Sequence, residues 1–87
     1  MTDEEYLGLQ RYLLQFPDAG AIVPGSSGVR KLRWAITGRG KRGGLRVIYF
    51  WKKQEDEIWM LTLYAKSEAS TIPSHMLRRI AEEIRDE

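Results

Sequence analysis

The chain has no cysteine among its 87 residues. That excludes a disulfide framework, a thiolate nucleophile and any Cys-ligated zinc or iron–sulfur site. It also removes the main sign of an oxidising compartment, so a cytoplasmic location is the default expectation. Histidine is almost absent as well, His75 being the single copy. Zinc and iron sites need three or four converging ligands, and none stands near it in a ligand pattern. Ser–His catalysis lacks a G-x-S-x-G elbow and an orienting carboxylate. The sequence predicts no metal and no cofactor, and reads His75 as a solvated helix residue. Long apolar runs are missing too. The longest uncharged apolar stretch, Ile58 to Ala65, is far short of the roughly 20 residues of a membrane span, and Asp3, Glu4 and Glu5 stand where a signal peptide would be basic. No membrane partner is expected. A chain this short encloses one hydrophobic core, which makes residues 1–87 a single domain.

What is present is enough for that core. Hydrophobic residues make up 43% of the chain, with three Trp, four Tyr and two Phe, so disorder throughout is not expected. The net charge of +2 hides a strong segregation. Between Gly25 and Lys53 lie nine lysines and arginines and no acid, while the flanks carry five bases against all twelve acids. A local positive potential of that kind suits a polyanion, nucleic acid above all; the plainer alternative is a solvated, exposed hairpin.

Thr2-Asp-Glu-Glu5 fits a capping box, and Tyr6, Leu9, Leu13 and Phe16 follow at helical spacing, which predicts a first helix from about Asp3 to Phe16. Pro17-Asp-Ala-Gly20 ends it, and Pro24-Gly-Ser-Ser-Gly28 reads as a second loop. The period then becomes two. Leu32, Trp34 and Ile36 alternate with Lys31, Arg33 and Ala35, so Lys31 and Arg33 project together from one strand. Leu45 to Lys52 is a second strand and Ile58 to Lys66 a third, each apolar on both faces, joined by the polar turn 52–57. After the linker 67–71, Pro73 opens a last helix with the stripe Leu77, Ile80, Ile84. The expected fold is α+β: a three-stranded antiparallel meander with an N-terminal and a C-terminal helix, both covering one face and leaving the other, where function should lie, at least partly open unless a partner covers it.

Gly38-x-Gly40-x-x-Gly43 matches the dinucleotide-binding pattern by letter only, since strand rather than helix follows it. A basic hairpin tip is the better description, with Arg39, Lys41 and Arg42, and Arg30 nearby in sequence, touching phosphates. The strand cations Lys31, Arg33, Arg46 and Lys66 gather near one end of one face if the register allows. A crowded lysine there is a usable general base, and arginine stays charged to stabilise a pentavalent phosphate. This is the equipment of a metal-free ribonuclease in which the ribose 2′-OH is the nucleophile. Tyr49 or Tyr64 stacks on a base or donates a proton; the alternative for each is core packing.

The ordered motifs Gly28-Val-Arg-Lys-Leu-Arg-Trp34, Gly38-Arg-Gly-Lys-Arg-Gly-Gly-Leu-Arg-Val-Ile-Tyr49 and Leu61-Thr-Leu-Tyr-Ala-Lys66 with Ser67-Glu68 resemble the HigB-like branch of the RelE/ParE toxin superfamily, over roughly Tyr6 to the end. The resemblance implies the toxin of a type II toxin–antitoxin pair: a small α+β endoribonuclease that cuts mRNA on the ribosome without metal, leaving a 2′,3′-cyclic phosphate. It implies a cognate antitoxin, mRNA and the ribosome as partners. It places Lys31 or Lys66 as base or acid, and Arg33 and Arg46 as phosphate and transition-state binders. Relatives usually open with a strand before the first helix, which this chain lacks, and some carry a tyrosine and an arginine after the last strand where 67–72 has neither. The alternatives are a non-catalytic, ParE-like gyrase inhibitor and an inactive RNA-binding relative.

Overall fold

The computed structural model describes residues 2–35, 44–65 and 72–86. Thr2 caps helix α1 (Asp3–Gln15): its hydroxyl accepts the Glu5 N–H at 3.1 Å and its own N–H donates to Glu5 Oε1 at 2.8 Å. Three acids in the first turn complement the positive end of the helix dipole. Leu9 and Leu13, four apart and so on one face, are fully buried. Phe16, before Pro17, leaves the helical conformation and is exposed.

Four strands follow or precede the turns that the sequence marks: β1 (Ala21–Ile22), β2 (Val29–Trp34), β3 (Leu45–Lys52) and β4 (Glu57–Ala65), with helix α2 (Ser74–Arg85) last. The sheet is antiparallel throughout, in the order β1-β2-β3-β4. The fold is the expected α+β, with one strand more than the sequence suggests. That strand, β1, is only two residues long, too short for alternation to reveal it. No strand precedes α1 among the described residues.

The loop between β1 and β2 is built rather than loose. Ser26 is fully buried; its hydroxyl donates to the Val23 carbonyl at 2.7 Å and accepts the Val29 N–H at 3.0 Å. Gly25 and Gly28 take positive φ of 77° and 107°, where a Cβ is strained. Arg85, in the last turn of α2, donates to the Ser27 hydroxyl and carbonyl, tying the helix to this loop. The β3–β4 turn closes with Asp56 at positive φ, its N–H donating to the Lys53 carbonyl at 3.1 Å.

One expectation fails. The two helices do not share a face. Leu9 and Leu13 of α1 pack with Val47 and Tyr49, whereas Leu77, Ala81 and Ile84 of α2 pack with Val29, Ile48 and Phe50. Odd and even residues of a strand point to opposite sides, so the helices sandwich the sheet. The cause is visible in β3: Val47, Ile48, Tyr49 and Phe50 are all at most 3% exposed, and a strand buried on both sides needs cover on both. The hairpins fix strand order and leave the helices free to choose either side. A smaller correction concerns the α2 stripe: Ala81 is buried and Ile80 is 37% exposed.

Candidate nucleic-acid interface

Residues directly opposite in an antiparallel pair share a face. Arg33 pairs with Arg46, and Arg46 pairs with Tyr64, so the three form one row across β2, β3 and β4. Lys31 pairs with Ile48, which pairs with Thr62; this second row lies on the same face, two residues along, or roughly 7 Å. Ile48 belongs to the α2 cluster and Tyr64 packs against it. The cations therefore sit on the α2 side of the sheet, at the margin of what the helix covers. Among the described residues each face of the sheet carries a helix, and the accessible surface is an end of the face that α2 covers. Arg33 is exposed there, and Lys31, Arg46 and Tyr64 are half-buried.

Tyr64 reaches this row because β4 bulges. The pairing runs Ile48 with Thr62 and Tyr49 with Met60, leaving Leu61 without a partner. Strict alternation from Met60, which packs on the α1 side, would send Tyr64 to that side as well. The bulge moves it beside Arg46.

Two arginines directly opposed repel each other, at a cost of about 0.2–1 kcal/mol. No carboxylate among the described residues pairs with Lys31, Arg33 or Arg46; the ion pair of Lys52 with Glu55, at 3.7 Å, lies at the other end of β3. A row of like charges without counter-charge, backed by a phenol, is suited to an external anion. Planar guanidiniums side by side can each take a phosphate oxygen pair. Three of the four strand cations, Lys31, Arg33 and Arg46, thus share one face. Lys66, Arg39, Lys41 and Arg42 lie outside the described residues.

Tyr49 is a correction. Its ring is fully buried against Leu9 and Leu13, and its hydroxyl is committed on both sides, accepting the Gly20 N–H at 2.9 Å and donating to the Pro17 carbonyl at 2.8 Å. It is a core anchor and presents no ring to a base. Burial raises its pKa above the usual tyrosine value, with the Gly20 N–H and the Arg30 charge opposing. Gly20 must be glycine here, since a Cβ would stand 2.9 Å from the Lys31 carbonyl and from the Tyr49 ring.

Arg30 is apart from the row as well. It pairs with Tyr49 and so faces the α1 side, where it donates to the Gly20 carbonyl at 2.8 Å and lies 6.0 Å from the Trp51 ring centre. Sequence reasoning grouped it with phosphate-touching residues because proximity along the chain does not report the face. His75 is exposed on α2, as expected. No helix among the described residues is long and apolar enough to cross a membrane. No protein-family model matches the chain.

Proposed function

We propose that this chain is an RNA-cleaving toxin of a type II toxin–antitoxin pair, acting on mRNA at the ribosome and so stopping translation. The observation that carries the reading is the row Arg33, Arg46 and Tyr64 with Lys31 beside it on one face of the sheet. A lysine, Lys31 or Lys66, takes the proton of the ribose 2′-OH, and the resulting oxyanion attacks the adjacent phosphorus. Arg33 and Arg46 neutralise the charge that builds on the pentavalent phosphate. The 5′-oxygen of the next nucleotide leaves, taking a proton from an acid that the second lysine or Tyr64 supplies, and a 2′,3′-cyclic phosphate remains. The attacking group belongs to the substrate, so the protein needs only a base, an acid, an anion clamp and in-line positioning. The family likeness in the three motifs supports the same reading.

An antitoxin fits as partner, because β4 ends the sheet and its outer edge offers backbone groups for an added strand. An acidic segment continuing from that edge would reach the arginine row.

The test is cleavage of mRNA by Arg46→Ala and Lys31→Ala in a translating extract, with transcript ends mapped. The expected result is a loss of about 100-fold or more for Arg46→Ala, typical of removing an oxyanion stabiliser, with circular dichroism unchanged. Wild-type protein that binds RNA with strong salt dependence and leaves it intact would make the chain a binding module. Induction that damages DNA without shortening transcripts would point to the gyrase-inhibiting alternative.

A further inference from the structure

At the end of the sheet remote from the arginine row, a cavity of about 470 Å³ opens among Arg30, Phe50, Trp51, Lys53, Glu55 and Arg85. None of the residues of the row lines it. Four cations reach it from three separate places in the chain: Arg30 from β2, the neighbours Lys52 and Lys53 from the end of β3 and the turn after it, and Arg85 from α2. Among the described residues Glu55 is the one carboxylate in the lining, and it lies 3.7 Å from Lys52. The balance is strongly positive and the walls are aromatic.

Hydrogen bonds or ring contacts hold Arg30, Lys53 and Arg85 in place. Arg30 has one terminal nitrogen engaged with the Gly20 carbonyl, at 2.8 Å. Arg85 lies 5.2 Å from the Phe50 ring centre and is fixed by Ser27. Lys53, exposed and on a flexible stem, stands 5.1 Å from the Trp51 ring centre, with Arg30 at 6.0 Å. An indole approached by two cations is an electron-rich plane, and a lysine over it can give up that place to a flat aromatic group while turning to a negative charge. An apolar, aromatic wall with a few convergent cations, in a cavity within the usual size range for small-molecule sites, matches a ligand having a planar ring at one end and an anion at the other.

We propose that this cavity is a second, separate binding site that takes a nucleoside phosphate, its base against Trp51 and its phosphate between Lys53 and Arg30. Base–aromatic stacking tolerates any base, so the site discriminates by phosphate rather than by base identity. The cavity lies at the end of β3 around residues 50–53, whereas the arginine row is at residue 46, towards the strand's other end. The proposal does not depend on the nuclease reading, and a chain that cuts no RNA can still hold the ligand.

The experiment is a titration of the full chain with AMP, followed by the three indole N–H signals of a ¹⁵N-labelled sample and by the amides of Gly28, Lys52 and Lys53. Adenosine, inorganic phosphate and a 5′-phosphorylated oligonucleotide serve as parallel arms. AMP should shift the Trp51 indole and those amides, with adenosine and phosphate each at least tenfold weaker. Lys53→Ser, at an exposed position, should weaken AMP several-fold without moving the signals of Arg33 and Arg46. Tighter binding of the oligonucleotide than of AMP identifies a strand end as the source of the ligand; tighter AMP binding identifies a free nucleotide. The proposal falls if AMP shifts only the arginine row, if adenosine or phosphate binds as well as AMP, if Lys53→Ser has no effect, or if an acidic peptide outcompetes AMP for the same signals.

Discussion

Tyr49 shows what a single side chain can hold together. Its hydroxyl joins the Gly20 N–H to the Pro17 carbonyl, so one phenol fixes the chain between α1 and β1 onto the central strand. Tyr49→Phe leaves both groups without that partner and should lower stability by about 1–3 kcal/mol in denaturant titration. The same residue has a pH signature. Its pKa is raised in the folded state, so its contribution is complete below the unfolded value of about 10 and is lost as pH rises toward the folded one. Wild-type stability should therefore fall more steeply above about pH 10 than that of Tyr49→Phe. The arginine pair predicts the opposite direction of change. Arg33→Thr removes a directly opposed like charge and should raise the unfolding free energy by about 0.2–1 kcal/mol at low salt, with the gain shrinking as salt is added, while any RNA cleavage is lost. A stabilised yet fully cleaving variant would place the chemistry elsewhere.

Among the elements, those governed by local rules were legible in the sequence. The capping box at Thr2 and Glu5 gave the start of α1, and Leu45 to Lys52 marked β3 to the residue, because backbone capping and period-two alternation are written in adjacent letters. Thr2→Ala should cost about 1 kcal/mol, seen as a lower midpoint in thermal unfolding followed by circular dichroism. The side of the sheet chosen by each helix was not legible. Leu9 and Leu77 are equally apolar, and nothing next to them in the chain says whether they meet Val47 or Ile48. The clue available was β3 itself, apolar on both faces and so requiring two covers. Half of the candidate site was readable for the same reason: Lys31 and Arg33 share a face by alternation within one strand. Arg46 and Tyr64 joined them only through pairing register and a bulge, which are set by contacts between distant segments. Tyr49 could not be told from Tyr64 by letter or by flanking pattern; burial separates them.

For the molecule as a whole, charge segregation is the property that survives every local correction. Nine cations fall between Gly25 and Lys53, and the structure distributes the described ones over two places, the row on the α2 side and the cavity at the other end. RNA affinity should fall steeply with salt, and Arg33→Ala should reduce the slope of log affinity against log salt by about one. An unchanged slope would mean that RNA bypasses the row.

The bulge in β4 has a consequence for chain length. Leu61 is one residue more than the ladder needs, so the strand carries slack. Deleting Leu61, Thr62 or Leu63 singly can be absorbed by closing that slack, with Tyr64 still across from Arg46 and the cost limited to the side chain removed or turned over. The equivalent deletion within 45–50 has no such reserve and throws every later residue of β3 to the wrong side. A pair of expression trials on those deletions would expose the difference directly: the β4 deletants should stay soluble and folded, and the β3 deletants should not.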